Sequence, residues 1–407
     1  MREEDGPGTG LLAALAVPGF RRLWGGAFVS SVGTWTQDVA LAWLIHTRLQ
    51  EPLYLGLRSF AAEAPLLAFM LVGGAVADRV DRRRILLTSQ GLQLLYALAL
   101  LALHLTDRLG IGAILAIAFL TGLTQSQSAP TYQAVLTSLV PRRQIQSAVA
   151  LNSLQFNLSR AVGPVLAALV LARAGTGACF AVNAASFLAV IAALWSLDLP
   201  APAPTQGESL SQSLKAGLRH VRADPVLARL MALGAAGSFL GFPLITYLPV
   251  IAGDVLGTGA AGYSLLLSSF GAGAIVGALV TAWRGHVPGR GRTALLAAMA
   301  YGLFAAAAVH APRQEIAMAL LFASGVSLVS TFSVLNALVQ EQAPDALRGR
   351  VLSIWGLFFR GGMPTGSLVA GFFVGPFGAP AVLGVFCGAL VVLAGAFLVR
   401  SRTLREL

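Results

Sequence analysis

The chain has 407 residues, of which 56% are hydrophobic and only 11% are charged, and its mean hydropathy is +0.76. Soluble domains carry about 25% charged residues, so this composition excludes a soluble protein with a charged surface. Apolar runs of about 20 residues recur along nearly the whole chain, and each can cross a hydrocarbon core about 30 Å thick. These features predict an all-α polytopic membrane protein.

Twelve transmembrane helices are predicted, six on each side of a hydrophilic stretch that contains "LPAPAPTQGESLSQ". In chain order, the predicted spans are 23–45, 55–76, 85–105, 111–131, 148–172, 178–197, 230–250, 263–283, 294–311, 316–338, 351–374 and 381–399. The chain therefore divides into an N-terminal six-helix bundle over residues 1–197, a cytoplasmic linker loop over 198–229, and a C-terminal six-helix bundle over 230–407.

The basic residues indicate the orientation of these spans. The even-numbered loops and the two tails hold 21 of the 28 lysines and arginines, whereas the odd-numbered loops hold 4. Loops rich in lysine and arginine stay in the cytoplasm, so we expect both termini there. The same distribution explains the net charge of +11 without nucleic acid as a partner.

The two halves of the chain repeat each other. "SLQFNLSRAVGPV" from Ser153 aligns without gaps with "SIWGLFFRGGMPT" from Ser353, at an offset of 200. "QAVLTSLVP" resembles "NALVQEQAP" at an offset of 203, and "VGGAV" resembles "VGALV" at an offset of 204. Two six-span repeats in the same orientation are typical of secondary transporters whose halves are related by an axis along the membrane normal.

The segment "GGAVADRVDRRR" between spans two and three resembles the loop signature of the major facilitator superfamily. "VPRRQIQSAVALNSLQFNLSRAVGP" and "APDALRGRVLSIWGLFFRGGMPTG" are similar to the bacterial enterobactin exporter and macrolide efflux branch of that superfamily. The chain departs from the pattern in two ways. Asp81 stands where the loop signature usually has a second glycine, and span four lacks the arginine that proton-coupled drug antiporters often carry.

The resemblance implies a conformational latch in this loop, formed by Gly74, Asp78, Arg79 and Arg82. Asp78 would meet the end of a span from the other half, where free N–H groups and the helix dipole stabilise an anion. The simpler alternative is that these charges only set the topology, and that alternative suffices for the arginine cluster.

Asp38 and Glu63 are the candidates for ion coupling. Ser31, Thr34 and Asp38 recur at helical spacing in span one and form a polar stripe that we expect to face a water-filled cavity. Glu63 lies near the middle of span two. Because burial favours the neutral form of a carboxyl group, either acid could take up and release a proton. A structural ion pair with an arginine is the alternative for Asp38. Glu63 and Arg58 lie five residues apart and face different neighbours, so a salt bridge between them is not expected, and each needs a partner or water.

Eight residues are candidates for the substrate cavity. Arg160 and Arg360 are equivalent positions of the repeat and could hold an anion bidentately, or could instead tie down backbone carbonyls opened by nearby prolines. The other candidates are Thr34, Arg58, Gln125, Asn152, Gln155 and Asn157. The four amide side chains among them, Gln125, Asn152, Gln155 and Asn157, would suit hydrogen bonding to a polar organic molecule, although such residues are more often helix–helix contacts.

The resemblance implies export of a siderophore, macrolide or other drug-like molecule by alternating access, with H⁺ as the expected coupling ion. The alternative is an importer or lipid-type facilitator on the same fold. We expect no enzymatic activity, cofactor or metal, because the sequence shows no phosphate loop and no cluster at metal-ligand spacing. The expected partners are a small-molecule substrate and membrane lipids, and the expected state is a monomer.

Overall fold

The computed structural model of the chain describes residues 10, 12–77, 81–197, 210–285, 289–345 and 347–407, with side chains except at 70–77 and 210–216. Within these ranges all regular elements are helices. The structure therefore confirms the predicted all-α fold.

Five helices make up the N-terminal part of the chain: α1 (Pro18–Leu44), α2 (Leu53–Ala77), α3 (Arg82–Leu105), α4 (Ile111–Ser138) and α5 (Ile145–Trp195). Helix α5 contains predicted spans five and six. Its two arms meet at Gly175, whose φ of 76° and ψ of −174° break the helical path. A positive φ costs glycine little, so the chain can turn there without a separate loop.

The C-terminal part begins with α6 (Leu210–Ala223), a helix inside the predicted linker. Asp224 then caps α7 (Pro225–Gly241) by accepting hydrogen bonds from the N–H groups of Val226 and Leu227. Span seven continues through two short helices, α8 (Pro243–Thr246) and α9 (Leu248–Val250). Proline lacks the N–H that a continuous helix needs, so Pro243 at the start of α8 and Pro249, the second residue of α9, interrupt this span.

The remaining helices are long except for the last: α10 (Gly259–Arg284), α11 (Arg290–Val309), α12 (Gln314–Gln342), α13 (Arg348–Phe377), α14 (Ala379–Arg400) and α15 (Arg402–Glu406). In the described parts of the chain, nine helices are long and apolar enough to cross a membrane. One of these contains the two arms of α5. Helices α1 and α2, with 27 and 25 residues, are also long enough to span about 30 Å. The chain is thus a polytopic membrane protein with the predicted twelve spans.

By their internal contacts the residues form two compact units. Unit 1 contains Met1–Leu41 and Ala68–Gln206, and unit 2 contains Ala42–Leu67 and Gly207–Leu407. The unit boundaries therefore run through α1 and α2. In unit 1, α3 packs against α4 and α5, and in unit 2, α10 and α11 pack against α12. The division into two six-helix bundles was inferred from the sequence repeat, not from such contacts, and it stays a prediction.

Candidate transport site

A buried polar cluster lies in unit 1, between α1 and the two arms of α5. Gln155 on the first arm donates from Nε2 to Ser31 Oγ at 2.9 Å. Asn183 on the second arm donates from Nδ2 to Gln37 Oε1 at 2.9 Å and accepts from Thr34 Oγ1 at 3.4 Å. Gln155 and Asn183 are 5% and 1% exposed. Two buried amides therefore bind the polar face of α1 from both sides.

Glycines allow α1 to approach α5 this closely. A Cβ on Gly33 would overlap the Ser186 side chain, and a Cβ on Gly163 would overlap Trp35. Thr36 Oγ1 donates to the Gly163 carbonyl oxygen at 3.2 Å. Small residues at helix crossings bring backbones together in membrane proteins, so the contact of α1 with both arms is tight.

The predicted stripe of α1 is partly engaged in this cluster. Ser31 faces Gln155 and Thr34 faces Asn183, while Asp38 lies one turn further along the same helix and is half-buried. Gln155 and Thr34 were predicted as cavity residues, and the structure brings them into one network. Asn183 and Gln37 were not predicted, although each is a polar side chain within an apolar span, which is the signal that identified the others.

Arg160 lies beside this cluster on the first arm of α5. Its guanidinium carbon is 6.0 Å from the ring centre of Trp35, and Trp35 makes an edge contact with Phe156. An arginine over an aromatic face is stabilised by the ring quadrupole. This contact orients Arg160 toward α1.

The other predicted cavity residues of unit 1 occupy less central positions. Asn152 and Asn157 are half-buried on α5, and Asn157 Nδ2 donates to the Ser153 carbonyl oxygen of its own helix at 2.8 Å. Gln125 is exposed on α4. None of these three residues takes part in the hydrogen bonds that join α1 to α5 in the described part of the chain.

In unit 2, α2 runs antiparallel along α13, and we call this line of contacts the α2–α13 seam. A Cβ on Gly56 would lie 2.6 Å from the Ser367 carbonyl oxygen, and one on Gly371 would lie 3.3 Å from Leu53 Cα. Further along, Glu63 faces Arg360. Residue numbers decrease along α2 where they increase along α13, as expected for antiparallel helices. From Leu53 to Glu63 the seam extends over more than two helical turns.

Two hydrogen bonds fix the glycine end of the seam. Tyr247, which is fully buried, donates from its hydroxyl to the Ser367 carbonyl oxygen at 2.7 Å. The hydroxyls of Thr246 and Ser367 are 2.8 Å apart. The residues that break span seven therefore support α13 at the point where α2 comes closest.

Glu63 and Arg360, predicted separately as a coupling acid and a substrate ligand, form one ion pair. Glu63 Oε2 lies 3.8 Å from Arg360 Nη1, and their side chains are 35% and 48% exposed. Both side chains are thus only partly buried, and the pair lies within two apolar helices. Arg58, five residues before Glu63 on α2, is half-buried.

The predicted latch is described only in part. Asp78 and Arg79 lie outside the described residues, and Gly74 lies in α2 where side chains are not described. Arg82 is the first residue of α3. Asp81, the departure from the loop signature, caps α3 by accepting from the Arg83 N–H at 2.9 Å. Arg83 donates from Nη2 to the carbonyl of Trp195, the last residue of α5.

No group of three or more histidine, cysteine, aspartate or glutamate side chains is placed to hold a metal ion in the part of the chain that the structure describes. Cys179 and Cys387 are free and buried. The polar groups of the candidate transport site are the amides and hydroxyls of the buried cluster, Arg160 beside Trp35, and the Glu63–Arg360 pair.

Comparison with known proteins gives a family and a set of relatives. A family model described as transmembrane secretion effector, of the major facilitator superfamily, matches residues 9–407. The chain is 26% identical over 350 residues to the enterobactin exporter EntS of Shigella flexneri, covering 83% of this chain and 80% of that protein. It is 25% identical over 346 residues to EntS of Escherichia coli O1:K1, covering 83% and 81%.

Solved structures share the fold at low sequence identity. The nucleoside transporter NupG superposes with a TM-score of 0.74 at 15% identity, covering 93% of this chain and 98% of that one. A bacterial homolog of the human lysosomal transporter Spinster, solved in an inward-facing and unoccupied conformation, superposes with a TM-score of 0.69 at 14% identity, covering 95% of both chains. At this identity the likeness shows the fold alone.

Proposed function

Because the chain belongs to the transmembrane secretion effector family of major facilitator transporters, we propose that it exports small organic molecules by alternating access, coupled to H⁺. The observation that carries this proposal is the α2–α13 seam, in which tight glycine contacts and an ion pair lie on one line. Such a seam is suited to close and reopen as a unit.

The seam can reopen because its ion pair is long. At 3.8 Å, Glu63 Oε2 and Arg360 Nη1 lie beyond hydrogen-bond distance, so parting the two helices breaks no close hydrogen bond between these atoms. The glycine contacts are van der Waals contacts between backbones, which are lost together when two helices part. We infer that α2 leaves α13 when the transporter opens toward the outside.

The substrate class follows from the polar groups of unit 1 and from the relatives. The relatives carry the name enterobactin exporter, which favours a siderophore or another drug-like molecule with several oxygen acceptors. Arg160, which is half-buried beside the cluster, offers guanidinium donors to such acceptors, while Gln155 and Asn183 hold α1 in place next to it. We propose that the substrate binds beside this cluster in a protein that works as a monomer in the bacterial inner membrane.

Asp38 is the proposed site of H⁺ coupling, and Glu63 is the rival. Asp38 extends the polar face of α1 by one turn beyond Thr34, so a change in the packing of α1 changes the water around its carboxyl group. A carboxyl group whose hydration changes between two conformations binds its proton differently in each. That difference is what couples a proton gradient to a conformational cycle.

Transport into inside-out membrane vesicles tests the export proposal. Vesicles containing the chain are given a panel of siderophores, macrolides and lipophilic cations, with and without an acidic lumen, and vesicles without the chain serve as the control. We expect lumenal accumulation of at least one siderophore or macrolide, increased by the acidic lumen. Accumulation only in right-side-out vesicles would instead favour the importer or lipid-type facilitator.

The proposed orientation predicts which single cysteines react from outside intact cells. Gly110, between spans three and four, and Gly349, between spans ten and eleven, both have room for a side chain. The native cysteines are buried, which keeps background labelling low. An impermeant maleimide should label Gly110→Cys in intact cells and Gly349→Cys only after lysis. The reverse pattern would invert the topology.

For the latch, Asp78→Asn should reduce the transport rate about tenfold or more while the protein still inserts and folds. The substitution removes the charge but little volume, and a lost charge–dipole contact of up to about 2 kcal/mol corresponds to a change of that size. Asp81→Asn is the matched control, because asparagine also caps helices well. Wild-type transport by Asp78→Asn at equal expression would leave only a topological role for the loop.

A further inference from the structure

Two π-helical turns end corresponding spans of the two halves. Ile45–Leu49 continues α1, and Ile251–Val255 continues α9. Ile251 follows Ile45 by 206 positions, close to the offsets of 200 to 204 that relate the two halves. Each turn is soon followed by a residue with positive φ, Gln50 at 53° and Gly257 at 62°. The π-helix is rare and is frequently found at functional sites, so its recurrence at equivalent positions indicates a shared role.

The two π-helical turns contact each other through His46 and Asp254. His46 Nε2 lies 3.4 Å from Asp254 Oδ1. The imidazole lies directly over Gly253, where a Cβ would overlap Nε2. Trp43 packs on the other side, with its ring centre 5.4 Å from that of His46, and stacks in turn on Tyr263 at 6.3 Å. We call His46, Gly253 and Asp254 the outer clasp.

Water reaches the two partners of the clasp unequally. The clasp borders a cavity of about 520 Å³, lined by Trp43, Thr47, Gln50, Pro52, Gly257 and Gly259 besides the clasp residues. The side chain of Asp254 is 63% exposed, whereas that of His46 is 12% exposed. The carboxylate is therefore screened by solvent, while the imidazole is enclosed between Trp43 and the backbone of Gly253.

This inequality decides how His46 responds to pH. Burial lowers the pKa of His46 below its ordinary value of 6.5, because water cannot solvate the charged form of the enclosed ring. The attraction of Asp254 raises the pKa again, but by less than burial lowers it. Asp254 is the charged group that faces the ring from the opposite turn. Arg48 and Glu51 belong to the segment of His46 itself, and Tyr263 is the titratable group on α10 nearest to Trp43.

We propose that the outer clasp is a pH-responsive gate that opens when the water at this end of the helices becomes acidic. When the clasp separates, His46 is exposed to water and regains its ordinary affinity for a proton. A proton therefore binds the open form more tightly than the closed form, so acid shifts the equilibrium toward the open form. The closed form is favoured above about pH 6.5 and loses that advantage as the pH falls.

Distances between two spin labels test this inference on the full chain in lipid nanodiscs. Thr47 and Val255 are exposed residues of the two π-helical turns, so cysteines at these positions can carry the labels after the native cysteines are replaced. Between about pH 7.5 and pH 5.5, the ratio of long to short distances should rise about threefold or more. This readout requires neither a substrate nor a known direction of transport.

Two variants separate burial from the ion pair as the cause. His46→Gln keeps a polar side chain of similar length without a titration near neutral pH, so the distances should become independent of pH. Asp254→Asn removes the attraction that offsets burial, so the response to acid should grow. A wild-type chain that does not open in acid, a His46→Gln chain that still responds to pH, or a weaker response in Asp254→Asn would each overturn the inference.

Discussion

Replacing Asp38 by asparagine is expected to abolish accumulation driven by a pH gradient while substrate binding persists. Asparagine keeps the shape and the hydrogen bonding of the side chain but fixes it in a neutral form. A transporter that cannot exchange the proton still equilibrates its substrate across the membrane, so downhill exchange should continue. In proteoliposomes, gradient-driven accumulation should fall to the level without a gradient, while the Kd for substrate changes less than about threefold.

Glu63→Gln is the matched control for this result. Glu63 lies within a span as Asp38 does, and it is paired with Arg360 in the seam. If Asp38 is the coupling group, Glu63→Gln retains pH-driven accumulation at a changed rate. Full accumulation in Asp38→Asn together with its loss in Glu63→Gln would move coupling to the ion pair of the seam. Accumulation by both variants would contradict coupling through either acid.

The second large effect is expected from Gly56→Ala in the seam. The added methyl group would lie 2.6 Å from the Ser367 carbonyl oxygen and 2.5 Å from the Tyr247 hydroxyl, and the backbone oxygen cannot move without α13. Overpacking of this kind costs about 1–3 kcal/mol. The ratio of closed to open seam should therefore fall by about 5- to 150-fold, and transport should slow because the outward-closed form is rarely populated.

Gly361→Ala controls for the loss of a glycine from the same seam. A Cβ there would meet its nearest neighbours, the methyl groups of Leu67, at 3.8 and 3.9 Å, an ordinary contact distance. We expect Gly361→Ala to transport at close to the wild-type rate. Equal transport by Gly56→Ala and Gly361→Ala would show that tight closure of the seam is not needed.

Long apolar runs predicted the helices well, because a chain that crosses lipid must satisfy its backbone N–H and C=O groups by hydrogen bonds within its own helix. The twelve spans and the family were both predicted from the sequence. Two local features escaped it. The break of α5 at Gly175 replaces an expected loop, and the pieces of span seven depend on prolines within a continuous apolar run. The length of an apolar run indicates that a segment can cross the membrane, but it does not indicate where the helix is interrupted.

The candidate site was predicted as a set of residues but not as a set of contacts. Glu63 and Arg360 were each found because a charge in an apolar span needs a partner or water. Their pairing depends on the packing of α2 against α13, which brings distant parts of the chain together. The same holds for His46 and Asp254, whose contact could not be read from two separate span ends.

Reversible cross-linking of the seam tests alternating access most directly. Gly375 on α13 has room for a side chain, because a Cβ placed there would lie 3.8 Å from its nearest neighbour, Glu51 Oε1. Glu51→Cys and Gly375→Cys, joined by a short disulfide-forming reagent in a chain without the native cysteines, should hold α2 against α13. We expect transport to stop on cross-linking and to return after reduction, while each single variant treated alike stays active. Undiminished transport by the fully cross-linked chain would contradict the account, because the seam would then never need to open.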